Sequence, residues 1–241
     1  MIGLVTGANR GFGYEVVKEG LKRGHTMIAS SFEMEPDQIK DLMELKAVHK
    51  EKLAVVALDV TDEKSVSNAY DEVSRLFDRV DFIVNSAGII FERNVMPGDP
   101  IADINIDNFR KTLDVNVIGD AIVLKYFINL IYRSEDACII NVSSEAALLG
   151  QEGYGYMMYS TSKYALNMYS QKVYNYLRIE KPEKAIRLFM THPGRMDTVM
   201  GKENAQIHPS ESAKGHLDII ERKIDIPSMK VPYIDYKGNP M

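Results

Sequence analysis

The sequence contains no tryptophan and a single cysteine, Cys138, so no disulfide can form within the chain. Its five histidines are scattered, without the His/Cys spacings of a metal site, and no metal is expected. No apolar run approaches the ~20 residues that a membrane-spanning helix requires. The opening "MIGLVTGANR" shows neither a basic leader nor a cleavage site and runs straight into a strand-like segment. A net charge of -5 without a dense basic cluster argues against a nucleic-acid partner. The expectation is a cytoplasmic protein with neither a membrane nor a nucleic acid as partner. Function must therefore come from motifs.

What is present is alternation. Short β-branched runs at 2–6, 26–30, 53–58, 81–86, 137–143 and 185–191 read as buried strands, and "VPYID" at 231–235 reads as a weaker seventh. Helical patterns lie between them near 11–23, 36–50, 62–79, 107–133, 159–180 and 210–224. This order predicts an α/β fold: a three-layer, doubly wound parallel sheet. With 45% apolar residues over 241 positions and no repeat or linker, the whole of 1–241 reads as one domain. Within it, about 1–135 forms a cofactor half and about 136–241 a catalytic and substrate half. Asn116 interrupts an otherwise apolar stretch of the long fourth helix. The run "AIVLKYFINLIY" suits either packing on the sheet or an interface between subunits.

Two local patterns carry chemistry. "VTGANRGFGYEV" follows the first strand and opens the first helix, with Gly7, Gly11 and Gly13 free to adopt positive φ and to let a pyrophosphate approach the helix N-terminus. Such a glycine trio gains weight from its place between strand and helix. In "EGYGYMMYSTSKYALNMY", Tyr159 and Lys163 are four apart and share one helix face. A neighbouring ammonium favours phenolate, so Lys163 is expected to bring the Tyr159 pKa down toward neutrality. Neither Tyr154 nor Tyr156 has a lysine four residues on. Taken alone, each pattern is common on ordinary loops and exposed helices.

Together they resemble the short-chain dehydrogenase/reductase family, in its branch of single-domain enzymes. "TGANRGFG", "LDVTD", "NSAG", "NVIG", "INVSS", "YSTSK" and "HPGRMDT" follow one another in that family's order over residues 2 to about 200. Ser86 stands where the family's N-N-A-G motif has its second Asn. The resemblance implies a catalytic set of Asn116, Ser144, Tyr159 and Lys163. Ser144 is preferred to Ser143 because it stands three residues after Asn141. The resemblance also implies dinucleotide contacts from Gly7, Asn9, Arg10, Gly11, Phe12 and Gly13 in the first loop, and from Ser31, Asp59 and Val60 near the adenosine. Asn85, Ala87, Gly88 and Tyr159 are implied cofactor contacts as well, Lys163 on the nicotinamide ribose, and Pro193, Gly194, Met196 and Thr198 in the turn that touches the nicotinamide. Fifteen positions separate Ser144 from Tyr159, more than the family leads one to expect, so the intervening loop must bulge.

Ser31 in place of an acid, with Arg10 just before Gly11, favours NADP(H) over NAD(H), although Glu33 and Glu35 lie close by. The substrate wall is expected from 88–97, from 145–158 and from the segment after Gly194. Leu149, Tyr154, Tyr156, Met196 and Met200 join Ser144 and Tyr159 there, while Leu148 and Val199 read as ordinary core. Such a lining suits a small-molecule carbonyl or alcohol that is apolar, cyclic or steroid-like. Arg93, Arg195 and Lys202 are the only candidates for a basic patch that an acidic carrier protein would require. The tail, with "HPG", "PSESAKG" and "DYKG", is similar to a subgroup that includes the C-factor signalling protein and sniffer-type carbonyl reductases. A dinucleotide-binding regulatory protein and a 3-oxoacyl-carrier-protein reductase therefore remain as alternatives to a carbonyl reductase. The resemblance also implies a homodimer or homotetramer.

Overall fold

The computed structural model describes residues 1–92, 98–201 and 205–241. Seven strands form one sheet: β1 (Ile2–Val5), β2 (Thr26–Ser31), β3 (Leu53–Ala57), β4 (Phe82–Asn85), β5 (Cys138–Val142), β6 (Arg187–His192) and β7 (Tyr233–Asp235). Their order is β3-β2-β1-β4-β5-β6-β7. Every pairing is parallel, with Leu4 beside Ile28 and Ile83, and Asn141 beside Asn85 and Met190. The order reverses between β1 and β4, and in sheets of this kind ligands bind in the crevice at the carboxyl ends of the strands at that point.

The period-2 alternation of the strands builds two cores. Leu4, Ile28, Ile83, Ile139 and Leu188 face one side, against α3 (Glu63–Leu76), α5 (Gly119–Ile131) and the far half of α6 (Met157–Glu180). Val5, Met27, Ala29, Phe82, Val84 and Ile140 face the other, against α1 (Gly11–Lys22), α2 (Lys40–His49) and α7 (Pro209–Ile220). Strands buried on both faces read as unbroken apolar runs, which is why they stood out in the sequence. The run "AIVLKYFINLIY" resolves toward the sheet: Val123, Leu124, Phe127, Leu130 and Ile131 are buried in the first core.

Some boundaries differ from expectation. Residues 35–39 form a turn, with Gln38 and Ile39 amides on the Glu35 carbonyl, so α2 starts only at Lys40. The predicted helix over 107–133 is α4 (Ile106–Leu113), a π-helical turn (Asp114–Ile118) and then α5. The last helix stops at Ile220, and Arg222 takes a left-handed φ of 57°. Val199, read as core, is 94% exposed, because it sits on the turn that Gly201 closes onto Thr198. Among the described residues, no helix is long and apolar enough to cross a membrane.

Candidate active site

The glycine loop forms because β1 must turn sharply into α1 beside the end of β4. Thr6 fastens the two strand ends: its hydroxyl accepts from the Ser86 and Ala87 amides at 3.0 and 3.1 Å, and its carbonyl accepts from Ser86 Oγ at 2.6 Å. Gly7 has φ 61°, and a methyl there would lie 2.9 Å from Ala87 Cα. A methyl on Gly13 would lie 2.5 Å from the Gly7 carbonyl oxygen. Arg10, at the N-cap of α1, makes no capping side-chain hydrogen bond, and among the described residues the first turn holds no acid. Its leading amides are thus open to an anion, which fits the diphosphate of a dinucleotide.

Other predicted cofactor residues converge on that crevice. A methyl on Gly11 would come within 3.6 Å of Thr198 Cγ2, and one on Gly88 within 3.7 Å of Lys163 Nζ. The turn after β6 and the helix that carries Lys163 therefore both face the loops that follow β1 and β4. Met196 packs into the second core and pairs with Ile207. Phe12 points away into the core, edge-on to His216 at 4.7 Å. Val60 is buried, and a methyl on Gly119 at the head of α5 would lie 2.7 Å from it. The Asp59 carboxylate holds its own turn through the Thr61 amide and hydroxyl. Asn85 is interior as well, donating to Asn141 Oδ1 at 2.8 Å, and Asn141 in turn donates to Ser170.

Glu33 complicates the adenosine end. Its Oε2 accepts from Arg10 at 2.9 Å and from Asn9 at 3.1 Å, so both loop side chains are already engaged. Ser31 is buried and its hydroxyl donates to the Glu33 carbonyl at 2.7 Å.

At the ends of β4 and β5 the structure brings together Asn116, Ser144, Tyr159 and Lys163. Asn116 sits in the π-helical turn, where its side chain accepts from the Ile89 amide at 2.8 Å and donates to the Ile89 carbonyl and to Ser162 Oγ, both at 3.0 Å. Ser162 passes the connection on to the Tyr159 carbonyl at 2.7 Å. Ser144 lies two residues past β5, caps a 3-10 turn through the Ala146 amide, and stands near enough to the Tyr159 phenol to favour its phenolate. Lys163 is buried, donates to the Val142 carbonyl at 2.8 Å, and lies 5.8 Å from the Tyr159 ring centre.

The electrostatics reverse one expectation. Burial pushes the Tyr159 phenol up to about 12, against the lowering effect of Ser144, and Tyr233 adds to the rise. Lys163 does not bring it down, because its ammonium is turned to Val142 and is itself shifted by burial to about 8. Asp120, one helical turn beyond Asn116, is fully buried; burial raises its carboxyl to about 8 while Lys163 opposes the shift.

The loop between Ser144 and Tyr159 does bulge. Residues 149–155 are exposed, with Leu149 at 79% and Tyr154 at 67%. Tyr154 and Tyr156 border a small cleft with Glu92, Pro100, Ile104 and Met157. Met200, Phe91 and Val199 add exposed apolar surface from the neighbouring loops. Arg195 is paired with Glu145 at 2.6 Å, and Arg93 and Lys202 lie outside the described residues. Sequence reasoning missed Glu92, Asp120 and Tyr233. Glu92 accepts from the Met158 and Tyr159 amides, and the Tyr233 hydroxyl donates to the Ser144 carbonyl. Glu92 and Tyr233 leave no spacing signal, since each reaches the site from a distant element, whereas Asp120 stands four residues after Asn116, a helical spacing that places it on the same face.

Comparison with known proteins agrees with this architecture. The short chain dehydrogenase family pattern matches residues 2–208. An oxidoreductase of Schizosaccharomyces pombe, C162.03, is 32% identical over 204 residues, covering 84% of this chain and 63% of that protein. This chain thus spans under two thirds of that relative's length. The structure of NADPH-bound carbonyl reductase from chicken fatty liver superposes with a TM-score of 0.83 at 26% identity, covering 99% of this chain and 97% of the other. The carbonyl reductase Sniffer of D. melanogaster shares the fold, with a TM-score of 0.86 at 22% identity over 99% and 98% of the two chains. From its glycine loop to the turn after β6, this chain belongs to the short chain dehydrogenase family of oxidoreductases.

Proposed function

We propose that this protein is an NADP(H)-preferring carbonyl reductase or alcohol dehydrogenase that acts on an apolar ketone or aldehyde. One observation carries the reading: the Ser144 hydroxyl and the buried Lys163 ammonium both stand beside Tyr159, at the strand ends where such sheets bind their ligand. A nicotinamide dinucleotide, when bound, supplies hydride chemistry, and the open α1 N-terminus, Gly88 and Lys163 are the groups that would hold it. The protein's own part is the proton. A phenol that stays neutral well above pH 7 holds a proton ready for the oxygen of a carbonyl as it gains negative charge. Ser144 shares that charge through its hydroxyl. Asn116 keeps the loop after β4 and the Ser162–Tyr159 backbone in register.

The exposed apolar surface of Leu149, Tyr154, Val199 and Met200 supports an apolar substrate, cyclic or steroid-like in shape. A carrier-protein substrate gains no support from Arg195, whose charge is spent on Glu145. A purely regulatory role would not require the four-residue constellation to converge. Exposed Tyr164, Met168 and Ile179 on α6 and Ile118 before α5 support assembly as a homodimer or homotetramer.

Tyr159→Phe removes the proton while leaving the crevice intact. Its turnover of a ketone panel with NADPH should fall by about 100-fold or more, with dinucleotide affinity within about twofold of wild type. Retained turnover in that variant would overturn the reading.

A further inference from the structure

We propose that Glu92 is a positioning residue that fixes the backbone of Tyr159 by capping the helix that carries it. This rests on the carbonyl-reductase reading above. Helix α6 begins after Tyr156, which has left-handed φ and ψ of 61° and 38° and a side chain unlike the short oxygens preferred at helix N-caps. The cap comes from elsewhere. Glu92, on the loop after β4, gives Oε1 to the Met158 amide and Oε2 to the Tyr159 amide, each at 2.8 Å. These are the second and third helical residues, the amides that a helix N-cap side chain satisfies. A charged acceptor at the positive end of a 24-residue helix is favoured by the helix dipole and makes stronger hydrogen bonds than a neutral one.

The clamp closes on Tyr159 from both sides. Its amide is held by Glu92, and its carbonyl accepts from Ser162, which is tied through Asn116 to Ile89. Ile89 and Glu92 lie three residues apart on one loop, so one short segment grips both faces of the tyrosine's backbone. Glu92 is 6% exposed and each carboxylate oxygen already accepts an amide hydrogen. It is therefore placed to hold position and not to exchange protons with substrate. The same residue borders the small cleft beside Tyr154 and Tyr156, so displacement of the cleft wall would be transmitted to the reacting phenol. A misplacement of about 1 Å at a reacting group can cost about 100-fold in rate.

The test combines amide exchange with steady-state kinetics on the full chain. In wild type, the Met158 and Tyr159 amides should exchange far more slowly than those of exposed residues 151–155. Glu92→Gln keeps the volume but turns an NH2 group toward one of the two amides. It should expose that pair to exchange and lower kcat by about 10- to 100-fold, with the Kd for NADPH changed by no more than about twofold. Glu92→Asp, which keeps the charge, should recover part of the lost kcat. Rapid exchange at both amides in wild type would overturn the proposal, as would unchanged kcat in Glu92→Gln. A loss of kcat matched by an equal loss of NADPH affinity would also overturn it. If wild type reduces no carbonyl with either dinucleotide, the functional reading fails on its own, while amide exchange still decides whether the clamp exists.

Discussion

Arg10 is the exposed cation at the mouth of the glycine loop, and Glu33 already holds it at 2.9 Å. A 2'-phosphate must compete with that carboxylate for the guanidinium, whereas a 2'-hydroxyl can donate to the carboxylate itself. Cofactor preference is thus a contest between two side chains rather than a property of Arg10 alone. Glu33→Gln should strengthen NADPH binding several-fold, because the competitor loses its charge, and leave NADH binding the same or weaker. Arg10→Ala should weaken NADPH by about 10-fold relative to NADH, an effect that shrinks as salt is raised. Fluorescence titration of both dinucleotides measures each value. Equal weakening of NADPH and NADH by Arg10→Ala would assign Arg10 to the loop's shape and remove it as a specificity group. Arg10 and Ser31 were legible in the sequence. That Glu33 reaches back over 23 residues to occupy Arg10, and that Ser31 turns its hydroxyl inward, depends on how the chain after β2 folds.

The element that most shapes the site is the break between α4 and α5. A π-turn at Asp114–Ile118 inserts one extra residue per turn and re-aims Asn116 toward Ile89 and Ser162. Gly119 follows it because a methyl there would sit 2.7 Å from Val60 Cγ2 and 2.8 Å from its Cβ. Gly119→Ala gains roughly 1 kcal/mol of helix propensity but must push α5 off the loop after β3, and overpacking costs about 1–3 kcal/mol. The variant should unfold at lower urea concentration and lose kcat through displaced Asn116. A gain in stability would show that the loop yields freely. The sequence shows one helix here because apolar residues recur across the π-turn without a proline or a glycine pair to mark it. Asn116 in that apolar run was the visible trace. The strands were easier to read, since burial on both faces makes each an unbroken apolar run, and the glycine loop was legible through its spacing. Glu92 and Tyr233 were not, because helix capping and a strand-to-loop hydrogen bond across 89 residues leave no periodic mark.

At the scale of the molecule, the buried pair Asp120 and Lys163 ties global stability to pH. Burial raises Asp120 from 3.8 to about 8, with the Lys163 charge opposing. Between those values the folded chain carries a proton that the unfolded chain has lost, so this group's contribution to stability falls as pH rises. Burial lowers Lys163 from 10.5 to about 8, with Asp120 opposing. Above about 8 the folded chain has lost a proton that the unfolded chain keeps, and the contribution recovers. The pair alone thus gives a minimum near pH 8. Carboxylates such as Asp81 and Asp136, which the fold holds below their usual range, act oppositely in acid and must be separated from it. The difference between Asp120→Asn and wild type does so, since those other carboxylates are common to both chains. The variant should be progressively more stable than wild type from about pH 4 to pH 8, with Lys163 titrating lower for want of the Asp120 charge. Urea unfolding across that range measures the difference, and a flat curve would mean that Asp120 ionises as freely in the fold as in the open chain. The same variant reports on the site, because a lower Lys163 pKa should move the alkaline limb of kcat against pH.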